Sequence, residues 1–171
     1  MLGLIGEAIS LRSFSSLWYW IAVGVFWIAA TGRVLGITFA SVNRARGGGL
    51  ALMQLETMTH IAAQIWVAGW QKWQVPWVAL SSATLVGLSL LAFWYGIELA
   101  QALWFLVCPY LLILALQLQL ALRILGKNIS DDALIQMMYR FRMTVQIIGF
   151  TFIFLTAGFA FFHLLINGNF R

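Results

Sequence analysis

The chain has 171 residues, 63% of them hydrophobic and 9% charged, a balance outside that of water-soluble globular domains. Its formal charge of +5 does not by itself point to nucleic acid, because basic residues in a membrane protein first report topology. One cysteine, Cys108, excludes an intrachain disulfide, and the length suits a single membrane domain, 1–171, with no second domain.

Met1 to Ser16 is weakly amphipathic and lacks the basic start, apolar stretch and small-residue cleavage site of a signal peptide. A first span is expected over about 17–35, opening on Trp18-Tyr19-Trp20, an aromatic anchor suited to a membrane interface. Arg33 lies near its far end, where a long stem can carry the charge out to water. Gly32 and Gly36 give a GxxxG spacing, a signal for close helix packing. Arg44, Arg46 and Gly47-Gly48-Gly49 then turn the chain.

Residues 50–74 are amphipathic at helical spacing. Leu52, Leu55, Met58, Ala62, Ile65, Trp66, Gly69, Trp70 and Trp73 share one face, and Glu56, Thr57, His60, Gln64, Gln71 and Gln74 gather opposite. Such a helix suits the plane of the interface; as a span it would bury Glu56 at about 2.5–3.5 kcal/mol at mid-depth. Pro76 is expected to open the second span, about 76–95, since a proline at the first helical position loses no hydrogen bond. From Trp77 to Leu122 the only charge is Glu98, and no polar stripe interrupts the run. It therefore reads as a helical hairpin, with Tyr95-Gly96-Ile97-Glu98 as the turn and a third span over about 98–122. Pro109 in that span removes the bond to the carbonyl of Phe105, and Gln101, Gln117 and Gln119 are expected to face other helices. Ser130-Asp131-Asp132 is a good helix start, leading through Arg140 and Arg142 into a fourth span over about 143–166.

The expected fold is thus all-α: four transmembrane helices with an interfacial amphipathic helix between the first and second. Under that arrangement Arg33, Arg44, Arg46, Lys72, Arg123, Lys127, Arg140 and Arg142 share one side, and Arg12 and Arg171 the other. Eight of the ten basic residues against two is a strong positive-inside bias, where a five-span arrangement would give six against four. Both termini are expected outside.

Little in the chain points to catalysis. The spans carry almost no ionisable groups, His60 and His163 are expected on opposite sides, and no HExxH, CxxC, P-loop or GxSxG pattern occurs. No enzyme and no metal site are expected. The fourth span is more informative. Gln146, Gly149, Ile153, Thr156, Ala160 and His163 form a narrow stripe of small or polar residues suited to close packing, while Phe150, Phe154 and Phe161 occupy another side. With Trp20 and Trp27 of the first span, those phenylalanines are the expected docking surface for other integral membrane subunits. Such a wall also suits contact with lipid, quinone or a pigment, with His163 as the candidate axial ligand.

Three patches carry a family likeness: Arg12-Ser-Phe-Ser-Ser-Leu-Trp-Tyr-Trp20, Tyr95-Gly-Ile-Glu-Leu-Ala-Gln-Ala-Leu103 and Val145-Gln-Ile-Ile-Gly149. They resemble a small membrane-protein family of alphaproteobacteria of the purple type (Rhodobacterales), often labelled "component of SufBCD complex". The label implies iron–sulfur assembly, whereas Cys108 supplies one of the four thiolates a cluster normally takes. The resemblance implies a bacterial inner membrane, in particular a photosynthetic one. The expected role is a non-catalytic accessory subunit of a larger complex such as a reaction-centre–light-harvesting assembly. A small carrier or channel, and a membrane assembly factor, are the alternatives.

Overall fold

The computed structural model describes residues 17–126 and 132–168, with the side chains of 17, 18, 31, 163, 164 and 166–168 outside that description. In order come α1 (Leu17–Gly32), an antiparallel hairpin of β1 (Arg33–Val34) and β2 (Ile37–Thr38), α2 (Phe39–Ala45), α3 (Leu50–Ser89), α4 (Glu98–Gly126) and α5 (Asp132–Gly168). α3 passes directly into a π-helical turn, Leu90–Trp94. Among the described residues three stretches are long and apolar enough to cross a membrane: Leu50–Trp94, Glu98–Gly126 and Asp132–Phe162. Ser130 and Asp131, the expected cap of α5, lie outside the described residues.

α1 is shorter than its expected span. Its 16 residues reach about 24 Å against a hydrocarbon core of ~30 Å. The chain leaves the helix at Gly32 and folds into the hairpin, whose two turn residues, Leu35 and Gly36, have φ of 53° and 85°. Two-residue hairpins favour positive φ at both turn positions, and glycine supplies one of them freely. Leu35 adopts the other against its preference, at about 1–3 kcal/mol, and its burial offsets a similar amount. Gly36 therefore serves a turn. A Cβ added to Gly32 or Gly36 would meet nothing within 4 Å, so the GxxxG spacing is not a packing motif here.

The second difference is larger. Residues expected to form a separate interfacial helix (50–74) and a span opening at Pro76 form one uninterrupted helix, 45 residues to Trp94, with Pro76 inside it. The physical reason is local. Gln74 and Val75 offer no side chain that caps a helix, and nothing before the proline has reason to leave helical φ/ψ. Pro76 then forfeits one bond, to the carbonyl of Lys72, on a stretch (71–80) that is exposed all round. The amphipathic half does not present one contiguous apolar face outward. Leu55, Thr59 and Ala63 are buried, with Leu52, Ala62, Trp66 and Val67 packed beside them, whereas Met58, Ile61 and Ile65 remain exposed.

The turn between α3 and α4 falls at the expected residues, with Gly96 at φ 65°. The π-helical end widens the usual closing pattern: Tyr95 N–H donates to the Leu90 carbonyl at 3.1 Å and Ile97 N–H to that of Leu91 at 3.0 Å. Gln101, buried as expected, donates its Nε2 to the Ala92 carbonyl at 2.8 Å. Trp104 Nε1 donates to Ser89 Oγ at 2.9 Å, and Ser89 in turn donates to the Leu85 carbonyl at 2.7 Å. Polar side chains thus lace the hairpin shut near its turn.

Most of the buried core lies toward the opposite end. It joins Val34, Phe39 and Val42 with Leu55 and Ala63 of α3, Ile113, Leu120 and Ile124 of α4, and Leu134, Met138 and Val145 of α5. α1 is fastened alongside. Trp27 is buried against Gly149, and a Cβ added there would come within 2.9 Å of the Trp27 ring. Tyr19 Oη, toward the other end of α1, donates to the Ala102 carbonyl at 3.4 Å.

Two outcomes follow from this packing. Gly149→Ala should lower stability by about 1–3 kcal/mol, because a full ring must move to admit one methyl; thermal unfolding in detergent with no shift would show that α1 is not seated there. Spin labels at Thr57 and Leu90 should be about 50 Å apart along an unbroken helix, against about 35 Å if the chain bent at a right angle near residue 75. A pulsed dipolar measurement separates the two.

Candidate functional site

Two features rise above the general packing, and both involve α5. The first is the basic end of the bundle. Phe39 and Tyr139 meet edge-on at 4.6 Å between ring centroids, which holds α2 against α5. Arg46 lies over the Tyr139 ring at 4.2 Å and Arg142 over the Phe39 ring at 3.9 Å. The four side chains pair two guanidinium groups with two rings, and Tyr139 Oη also donates to Asn43 Oδ1. Rings attract cations through their negative faces, so this arrangement holds positive charge at one end of the bundle with no carboxylate partner among the described residues. The Nε of Arg142 is buried and makes no hydrogen bond among the described residues.

Beside the stack, α4 and α5 enclose a groove of about 340 Å³. Each helix contributes a glutamine and, four residues on, an arginine: Gln119 and Arg123 from α4, Gln136 and Arg140 from α5. Its floor is apolar, formed by Leu116, Leu120, Met137 and Phe141. Among the described residues no acidic side chain lines it. In the sequence alone these arginines mark topology, and the groove arises only once the two helices lie side by side. The matched spacing, Gln119-Leu-Ala-Leu-Arg123 and Gln136-Met-Met-Tyr-Arg140, is the signal that could have found it, since residues four apart share a helix face.

The second feature is the outer side of α5. Phe150, Phe154 and Phe161 are 65%, 74% and 64% exposed, and Ile147 and Ala157 are exposed between and before them. These five positions follow a strict alternation of three and four residues, the spacing of a helix–helix seam. The small stripe faces inward, as expected: Gly149, Thr156 and Ala160 are buried, with Ile153 and Gln146 half-buried.

The structure does not bring all the expected docking residues to one surface. Trp27, 7% exposed, is an internal packing residue and is removed from the outward set; its aromatic ring fills the space that Gly149 leaves open. Trp20 is half-buried and meets Tyr19 edge-on at 5.5 Å, in a small cluster with Ala102, Phe105, Phe159 and Ala160. His163 sits in the last turns of α5, and its side chain lies outside the described residues. Among the described residues no group of three or more His, Cys, Asp or Glu could hold a metal.

The aromatic stack makes a prediction about local order. Tyr139→Leu keeps bulk but removes the cation–ring contact, the edge contact and the bond to Asn43, interactions worth roughly 0.5–1.5 kcal/mol each. Amide exchange in Phe39–Ala45 should then rise about tenfold or more while α4 is unchanged; equal protection would show that α2 is held by other contacts.

No protein-family model matches this chain, and no curated protein or solved structure matches it either.

Proposed function

We propose that this chain is a non-catalytic accessory subunit of a larger bacterial inner-membrane complex, docked through the outer seam of α5. The observation that carries the reading is the exposed alternation of Ile147, Phe150, Phe154, Ala157 and Phe161 on a helix apolar enough to cross a membrane. Aromatic side chains facing lipid gain little from contact with it, because acyl chains are as apolar as they are. A partner helix that interlocks with the seam gains close van der Waals contact over its whole length. The small residue Ala157 among the phenylalanines leaves a hollow for a knob from that partner.

In this reading α1 is a fourth, short member of the membrane bundle, since Tyr19 reaches the second turn of α4 and Trp27 the middle of α5. The eight basic residues face the cytoplasm and both termini the periplasm. The family resemblance favours a photosynthetic reaction-centre–light-harvesting assembly as the complex. Carotenoid, bacteriochlorophyll, quinone or lipid would then be the molecules that fill the margins of the seam.

The test is a triple replacement. Phe150→Leu, Phe154→Leu and Phe161→Leu together keep the helix apolar and should leave the protein inserted while reducing its recovery with the native complex several-fold. Full stoichiometry in that variant would place the docking surface elsewhere. A wild-type protein that purifies alone and moves a solute across liposomes would replace the subunit reading with a carrier.

A further inference from the structure

The groove between α4 and α5 has no part in that docking, and its chemistry is specific. Gln119, Arg123, Gln136 and Arg140 supply two fixed positive charges and two amide groups around an apolar floor. Among the described residues neither arginine takes part in an ion pair. A guanidinium recognises phosphate through paired, parallel N–H donors, and amides extend the same surface. The floor distinguishes a lipid from a free anion. Leu120 and Phe141 are buried beneath the rim, with Leu116 and Met137 beside them. Apolar walls of this kind receive the glycerol and upper acyl carbons of an amphiphile and offer inorganic phosphate nothing.

The level in the membrane agrees with this. Arg123 is the first charge after the apolar run of α4, and Arg140 and Arg142 are the last before that of α5. Both rims therefore stand where headgroups begin, with apolar helix surface continuing from each. We infer that the groove is a binding site for the headgroup of an anionic phospholipid, held by Arg123 and Arg140 with its acyl chain entering over Leu120 and Phe141. The inference rests on the membrane-crossing helices and not on the α5 seam. Loss of complex docking in the phenylalanine variant would leave it standing, and loss of lipid selectivity would leave docking standing.

The experiment uses the full chain in mild detergent, with native mass spectrometry reading the lipids retained. Wild-type protein offered phosphatidylglycerol and phosphatidylcholine in equal amounts should keep the anionic lipid by roughly tenfold or more. The double variant Arg123→Gln, Arg140→Gln should lose that preference while keeping its helical circular dichroism. Arg44→Gln, an exposed arginine outside the groove, should keep it. Millimolar inorganic phosphate should leave the bound lipid in place. Equal retention of both lipids by the wild type overturns the site without reference to any variant. So does undiminished preference in the double variant, or an equal loss in Arg44→Gln, which would mark a diffuse surface charge. Displacement by inorganic phosphate would show an anion site that makes no use of the apolar floor, and would also overturn the inference.

Discussion

Helices surrounded by hydrocarbon gain almost nothing by hiding apolar side chains from one another, and this constraint governs where the protein can be held together. The association must come from close packing, from hydrogen bonds, or from parts of the helices that leave the hydrocarbon. All three are visible here, and they are separated in space. Close packing fastens α1 to α5 through Trp27 on Gly149. Hydrogen bonds close the α3–α4 hairpin through Gln101, Trp104 and Ser89. The extended apolar core forms where α2, the hairpin and the near ends of the three long helices meet, at the basic end. Wherever such a core meets water, burial stabilises at its ordinary rate.

The hairpin turn shows how one irregularity supports another. A π-helical turn leaves carbonyls without their usual helical donors, and in an apolar setting each unsatisfied carbonyl is costly. Gln101 answers this from the facing helix by donating to Ala92. Its own Oε1 is buried and without a partner among the described residues, so the exchange is incomplete on one side. The gain is a fixed register between α3 and α4, because Gln101 reaches one carbonyl only. Register matters at the far end of the same helix, where α4 must present Gln119 and Arg123 on the face that meets α5.

How much of this was legible in the sequence depended on whether the signal was local. The long apolar run from Trp77 to Leu122, its turn at Gly96 and the inward stripe of α5 were readable, because each is a pattern within one segment. The uninterrupted α3 was not. Pro76 looks like a start signal, yet a proline begins a helix only when the residue before it has reason to leave helical φ/ψ, and Val75 has none. The hairpin at Leu35-Gly36 was missed for a related reason: leucine at positive φ is disfavoured locally and is stabilised only by a core that other segments build. Trp27 was assigned to an outer face because its partner, the missing side chain of Gly149, lies more than a hundred residues away and is visible only as empty space. The α4–α5 groove needs two helices at once, and its matched glutamine–arginine spacing carries meaning only after they are placed side by side.

Helix α5 is the element on which these separate demands converge, and its length explains how it meets them. Its 37 residues extend about 55 Å, well beyond a hydrocarbon thickness of ~30 Å. A helix of that length can cross the hydrocarbon and still hold Tyr139, Arg140 and Arg142 beyond it, where an arginine over a ring and an arginine beside a groove need no buried counter-charge. Along its apolar stretch the same helix divides its circumference: Gly149, Thr156 and Ala160 turn inward, where small residues let neighbours approach, and Phe150, Phe154 and Phe161 turn outward. Exchanging the two faces would fail on size alone. Phenylalanine at 149 would collide with the Trp27 ring, and glycine at 150 or 154 would strip the bulk from the exposed side. The division of size around one helix thus keeps the side that packs within the protein distinct from the exposed aromatic side, and both distinct from the charged end.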